Sequence, residues 1–167
     1  MKLTSFTDYS VRVLMYVAIK KGKLASIREV SEVYEISSNH LMKVVHLLGK
    51  GGYLDTIRGK NGGFRLGKEP KDINLGEPVR YTEEDLNIVE CFSNKEGRCV
   101  LREECNFSNV MKEALLAFLT TIDNYTLEDL ISDKEPIDFL VQQVQQIKNY
   151  TCKISFERTN FPLLLCA

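Results

Sequence analysis

Three features of the sequence predict a mainly α-helical fold: two short helices joined by a tight turn, a glycine-rich basic hairpin directly after them, and a longer amphipathic helix in the second half. The first two describe a winged helix-turn-helix with a small β-hairpin wing. The third reads as a long dimerisation helix. The 167 residues then divide into a winged unit at 1–68, a connecting helix and cysteine-rich loop at 69–107, a dimerisation helix with a following short helix at 108–140, and a peripheral tail at 141–167.

Thr7 is placed to cap the first helix, and Asp8 behind it suits the positive end of the helix dipole. Val11, Leu14, Met15, Ala18 and Ile19 recur at three- and four-residue spacing until Gly22, which predicts a helix over about Thr7 to Lys21. Ser26-Ile27-Arg28-Glu29 reads as a capping box, hydroxyl and carboxylate each satisfying a backbone N–H that the first turn leaves unpaired. It opens a second helix with Ile27, Val30 and Val33 facing inward. After the turn at Ile36-Ser37, Ser37 or Ser38 caps a third helix running to about Leu48, which buries Leu41, Val44, Val45 and Leu48. Tyr53 to Ile57 is strand-like, Phe64-Arg65-Leu66 is the returning strand, and Asn61-Gly62 offers the positive-φ residues of a tight hairpin.

In a helix-turn-helix the second helix of the pair enters the major groove of DNA. Its exposed positions here are Ser38, Asn39, His40, Lys43 and His46, side chains of the right size for base edges and phosphates. Ser38, Asn39 and Lys43, with His40, are the candidate groove contacts; Arg58, Gly59, Lys60 and Asn61 are the candidate wing contacts. A merely solvated polar face is the competing reading of the helix alone. The charge distribution favours DNA. Residues 1–68 carry 12 Lys or Arg against 5 Asp or Glu, a net of +7, whereas residues 69–167 carry 10 against 18, a net of −8.

Beyond the wing, a helix is expected from about Pro78, then a polar loop from Cys91 to Cys105. A long helix follows over about Ser108 to Ile122, with Val110, Met111, Ala114, Leu115, Phe118 and Leu119 apolar. That stripe is wide for a helix covering so small a domain, hence a dimer seam. Thr126-Leu127-Glu128-Asp129 is expected to form a further short helix, and the tail after Leu140 to be peripheral. Cys91, Cys99 and Cys105 are separated by seven and five residues, without the paired two-residue gap of zinc sites or the Cys-x-x-Cys of redox centres. Spacing alone leaves an iron–sulfur cluster, a thiol switch and inert cysteines open.

Several stretches narrow this choice by resemblance. Residues 1–9, 39–44, 58–67, 87–92 and 119–130 resemble the IscR/NsrR-type iron–sulfur winged-helix regulators, over about residues 1–140. The resemblance implies a homodimeric transcriptional repressor on an inverted-repeat double-stranded operator. It also implies a cluster, 4Fe-4S or 2Fe-2S, held by Cys91, Cys99 and Cys105, with nitric oxide as the signal that releases DNA. In some members an aspartate near the N-terminus of the partner subunit is the fourth ligand, and Asp8 matches that position. A carboxylate is a harder, weaker iron ligand than a thiolate; without that role Asp8 is simply a helix N-terminal acid. A released Asp8 is expected to pair with Arg12, one turn on, while Glu83, Glu84 and Asp85 compete for the same guanidinium. Cys152 and Cys166 match no ligand of the family. The alternative is a thiol-based redox-sensing repressor without a cluster.

Enzyme chemistry finds no support in the sequence, which offers no nucleotide-binding glycine loop and no nucleophile–base pair; both histidines lie on the third helix. No apolar run approaches the ~20 residues a membrane helix needs, and the N-terminus lacks an apolar signal core, so the cytoplasm is the expected compartment.

Overall fold

The computed structural model describes residues 2–92, 99, 101, 105–132 and 142. Its elements run α1 (Ser5–Ile19), α2 (Ile27–Tyr34), α3 (Ser38–Lys50), β1 (Leu54–Ile57), β2 (Gly63–Leu66), α4 (Gly76–Thr82), α5 (Asn106–Asp123) and α6 (Leu127–Ser132), with 3₁₀ turns at Pro70–Asp72 and Glu90–Phe92. This is a mainly helical winged helix. The expectations for the tail, with Cys152 and Cys166, lie outside the described residues.

One core joins these elements. Val13, Leu14, Tyr16 and Val17 of α1 pack with Val30 of α2, Leu41, Val44 and Leu48 of α3, and Leu54 and Phe64 of the wing. The capping box forms as expected: Ser26 Oγ accepts from Glu29 N–H, and Glu29 accepts from Ser26 N–H. The same carboxylate receives the nearly buried Lys20 ammonium at 3.0 Å, which satisfies a charge that would be costly to bury alone. Ser37 caps α3 by accepting from His40 N–H, and α3 continues to Lys50, about two residues beyond the expected end.

Two local expectations are corrected. The cap of α1 is Thr4, not Thr7; Thr4 accepts from Thr7 N–H, and Thr7 itself is fully buried. Its hydroxyl is drawn into a tertiary network, donating to Glu83 at 2.5 Å and accepting from Thr82 at 3.1 Å. The wing turn, in turn, does not use Asn61-Gly62 for its left-handed backbone. Gly59 has that conformation (φ 115°), and Gly62 N–H donates to its carbonyl at 2.9 Å. Gly62 is required for a different reason: a Cβ there would run into the Ile57 carbonyl.

The hairpin pairs antiparallel in the register Leu54↔Leu66, Asp55↔Arg65, Thr56↔Phe64 and Ile57↔Gly63. Ala25, between α1 and α2, exchanges both backbone hydrogen bonds with Phe64, so the wing is stitched to the helical unit. α4 begins at Gly76, two residues before Pro78, and α5 begins at Asn106, two residues before Ser108.

The chain then folds back on itself. Leu127 N–H donates to the Ile73 carbonyl, Leu75 N–H donates to the Tyr125 carbonyl, and Ile73 and Leu127 are both fully buried in the core of the winged unit. Thr126 and Asp129 cap α6 reciprocally, holding the Asp129 carboxyl below the usual carboxylate range. No described helix is long and apolar enough to cross a membrane.

Candidate nucleic-acid interface and cysteine site

The outer surface of α3 follows from its buried one. With Leu41, Val44, Val45 and Leu48 facing the core, a turn of roughly 100° per residue carries Asn39, Lys43 and His46 to the opposite side and Met42 to the edge of that side. These four and Ser38 are exposed. His40 is exposed too but lies on the flank, its ring 6.2 Å from that of Tyr9 on α1. At the wing tip Arg58, Gly59, Lys60 and Asn61 are all exposed. Arg65 differs from Arg58 and Lys60 in facing Asp55 across the ladder at 3.7 Å.

Asp8 and Arg12 pair along α1 at 2.8 Å, both about half exposed. Surface pairs at this spacing contribute a few tenths of a kcal/mol, so little holds Asp8 in place. Arg12 also lies 6.0 Å from the ring centre of Tyr34, whose hydroxyl is pushed up to about 12 by burial, against the opposing pull of the Arg12 charge. Two of the three acids expected to compete for Arg12, Glu83 and Asp85, make other hydrogen bonds. Glu83 accepts from Thr4 N–H, Thr4 Oγ1 and Thr7 Oγ1, and Asp85 accepts from Asn87 N–H at 2.6 Å. Glu83 therefore fastens the end of α4 to the start of α1. Local sequence gave no sign of this role, because the partners stand 76 or more positions away.

Cys91, Cys99 and Cys105 are free thiols, Cys99 exposed and the other two half-buried. Cys91 sits in the 3₁₀ turn after α4, lines a cleft of about 570 Å³ against α5, and lies 3.8 Å from Ser108 Oγ. Cys105 immediately precedes α5. Asp8 lines a different cleft, of about 670 Å³, with Arg12, Tyr34 and Glu35. Among the described residues no three His, Cys, Asp or Glu side chains stand together as a metal site. In donor type, the three thiols suit iron held in a cluster.

A polar helix stripe beside a basic hairpin, on a three-helix core, defines a winged-helix DNA-binding regulator. The chain belongs to the Rrf2 family, described as iron-dependent transcriptional regulators, whose family model matches residues 3–133. It is similar to the HTH-type transcriptional regulator NsrR of Bacillus subtilis (strain 168), with 54% identity over 138 residues, spanning 82% of this chain and 94% of that protein. The NsrR of Shouchella clausii (strain KSM-K16) is 48% identical over 143 residues, 85% of this chain and 96% of its own length. Among solved structures, CymR, the global cysteine regulator of B. subtilis, superposes with a TM-score of 0.63 at 27% identity, covering 79% of this chain and 97% of that one. IscR of T. potens shares the fold, with a TM-score of 0.64 at 23% identity over 81% of this chain and 90% of its own.

Proposed function

We propose that the chain is a homodimeric transcriptional repressor that binds an inverted-repeat operator and releases it when nitric oxide attacks an iron–sulfur cluster. The observation that carries this reading is the placement of three free thiols on the connection between the wing-bearing unit and α5. The ligands are Cys91, Cys99 and Cys105, completed by Asp8 of the partner subunit. The cluster supplies iron able to react with nitric oxide. Asp8 suits a releasable ligand because its alternative partner, Arg12, is one turn away in the same chain and already within ion-pair distance. Winged unit (1–68), cysteine connection (69–107) and dimer helix with α6 (108–140) then act as reader, sensor and coupler, with Asp85 on the cysteine connection beside the Glu83 fastening.

On DNA, Ser38, Asn39 and Lys43 enter the major groove, His40 approaches the backbone from the flank, and Arg58, Gly59, Lys60 and Asn61 meet phosphates or the minor groove at the wing. Lys60→Ala is expected to weaken binding uniformly across sequences and to lower the salt slope by about one. Asn39→Ala is expected to relax preference at particular base pairs, at about 1–3 kcal/mol of discrimination. Titrations of both variants on operator and random duplexes at several salt concentrations separate the two roles. Equal losses on both duplexes for Asn39→Ala remove it from base reading.

The whole reading is tested by a mobility shift with anaerobically purified protein, with and without nitric oxide, beside its visible spectrum. A brown protein that bleaches and leaves the DNA supports it; a colourless, iron-free protein that binds and responds equally well does not. The exposed Cys99 thiol favours a second reading, direct oxidation without a cluster, and iron and sulfide content distinguishes the two.

A further inference from the structure

Met42 is out of keeping with its surroundings. It stands at the edge of the outward stripe of α3, next to Asn39 and His46, and is 52% exposed, whereas the core cluster draws on Leu41, Val44 and Val45 around it. A single exposed hydrophobe needs no explanation by itself. Its position supplies one here: a flexible, unbranched apolar side chain stands exposed along the edge of the polar stripe formed by Asn39, Lys43 and His46. Among the four bases, the major-groove edge carries one distinctive apolar group, the C5-methyl of thymine.

We propose that Met42 reads a thymine methyl group in each operator half-site, adding an apolar contact to the polar ones of Asn39 and Lys43. This rests on the DNA-binding reading above. Seen this way, part of the specificity of α3 comes from excluding water between a thioether and a methyl group. A cytosine at that position offers no methyl, and neither does a purine.

The experiment starts from the tightest duplex that wild-type protein selects from a randomised library. Each thymine is then exchanged singly for deoxyuridine, which deletes the methyl and leaves base pairing intact. For wild type, one exchange per half-site is expected to weaken binding about three- to fivefold, the value of one buried methyl-sized group. For Met42→Ala the same exchange is expected to change affinity less than about twofold, while Met42→Leu retains the preference. Met42→Gln, similar in length, is expected to lose it, which separates apolar contact from mere bulk. If no exchange weakens wild type, or if each weakens wild type and Met42→Ala equally, the assignment is overturned. Failure of wild type to select any sequence over random DNA instead overturns the DNA-binding reading beneath it.

Discussion

Cys99→Ala protein, purified without oxygen, is expected to lack iron–sulfur absorption, to bind the operator roughly 5- to 150-fold more weakly than cluster-loaded wild type, and to ignore nitric oxide. The range is that of ordinary coupling between a ligand site and a second binding site. Because Cys99 is exposed, its replacement is expected to leave folding stability within about 0.5 kcal/mol of cluster-free wild type. Unchanged thermal unfolding beside lost DNA binding would therefore locate the defect in the sensor. Iron and sulfide assays, a visible spectrum and a mobility shift are sufficient measurements. Iron-free Cys99→Ala that binds the operator as tightly as cluster-loaded wild type would sink the switch.

The largest effect on stability is expected from Leu127→Ala. Leu127 is fully buried, its backbone N–H is held by the Ile73 carbonyl, and it belongs to the same core as Leu14 and Leu41. Removing it leaves a cavity among side chains that α1 and the Pro70–Asp72 turn hold in place. The expected cost is about 2–5 kcal/mol, a fall in Tm of about 5–15 °C for a chain of this size. Calorimetry and denaturant titration read it directly. A shift below about 1 °C would show that α6 is only loosely docked on the winged unit.

Much of the reading unit is visible in local sequence because its signals act over three or four residues. Ser26 and Glu29 meet within one turn, and the spacing of Leu41, Val44, Val45 and Leu48 decides which side of α3 is left outside. What escapes is decided by distant partners. Thr7 has the chemistry of a cap, but Thr82 and Glu83 claim its hydroxyl, and Thr4 takes the capping position. Asn61-Gly62 has the composition of a hairpin turn, but the backbone turns left-handed at Gly59 and Gly62 serves a steric need instead. Thr126 to Asp129 announces a helix without announcing that Leu127 returns to the first core. At the site, the three thiols and Asp8 stand out in the sequence by their chemistry, but Asp8 and Cys91 line separate clefts of the fold.

The return of α6 changes what α5 can do. Near its C-terminal end, Arg80 grips Asp123 with a two-pronged ion pair, the Asn74 side chain donates to the Asp123 carbonyl, and Leu127 is sunk in the core just beyond. Gly76 permits this grip, since a Cβ there would collide with the Asp123 carboxylate. The other end of α5 begins beside Cys105, 18 helical residues or about 27 Å away. α5 is therefore held by the reading unit at one end, while its other end packs through Ser108 beside Cys91. By that geometry a tilt of only about 10° about the held end displaces the cysteine end by about 5 Å.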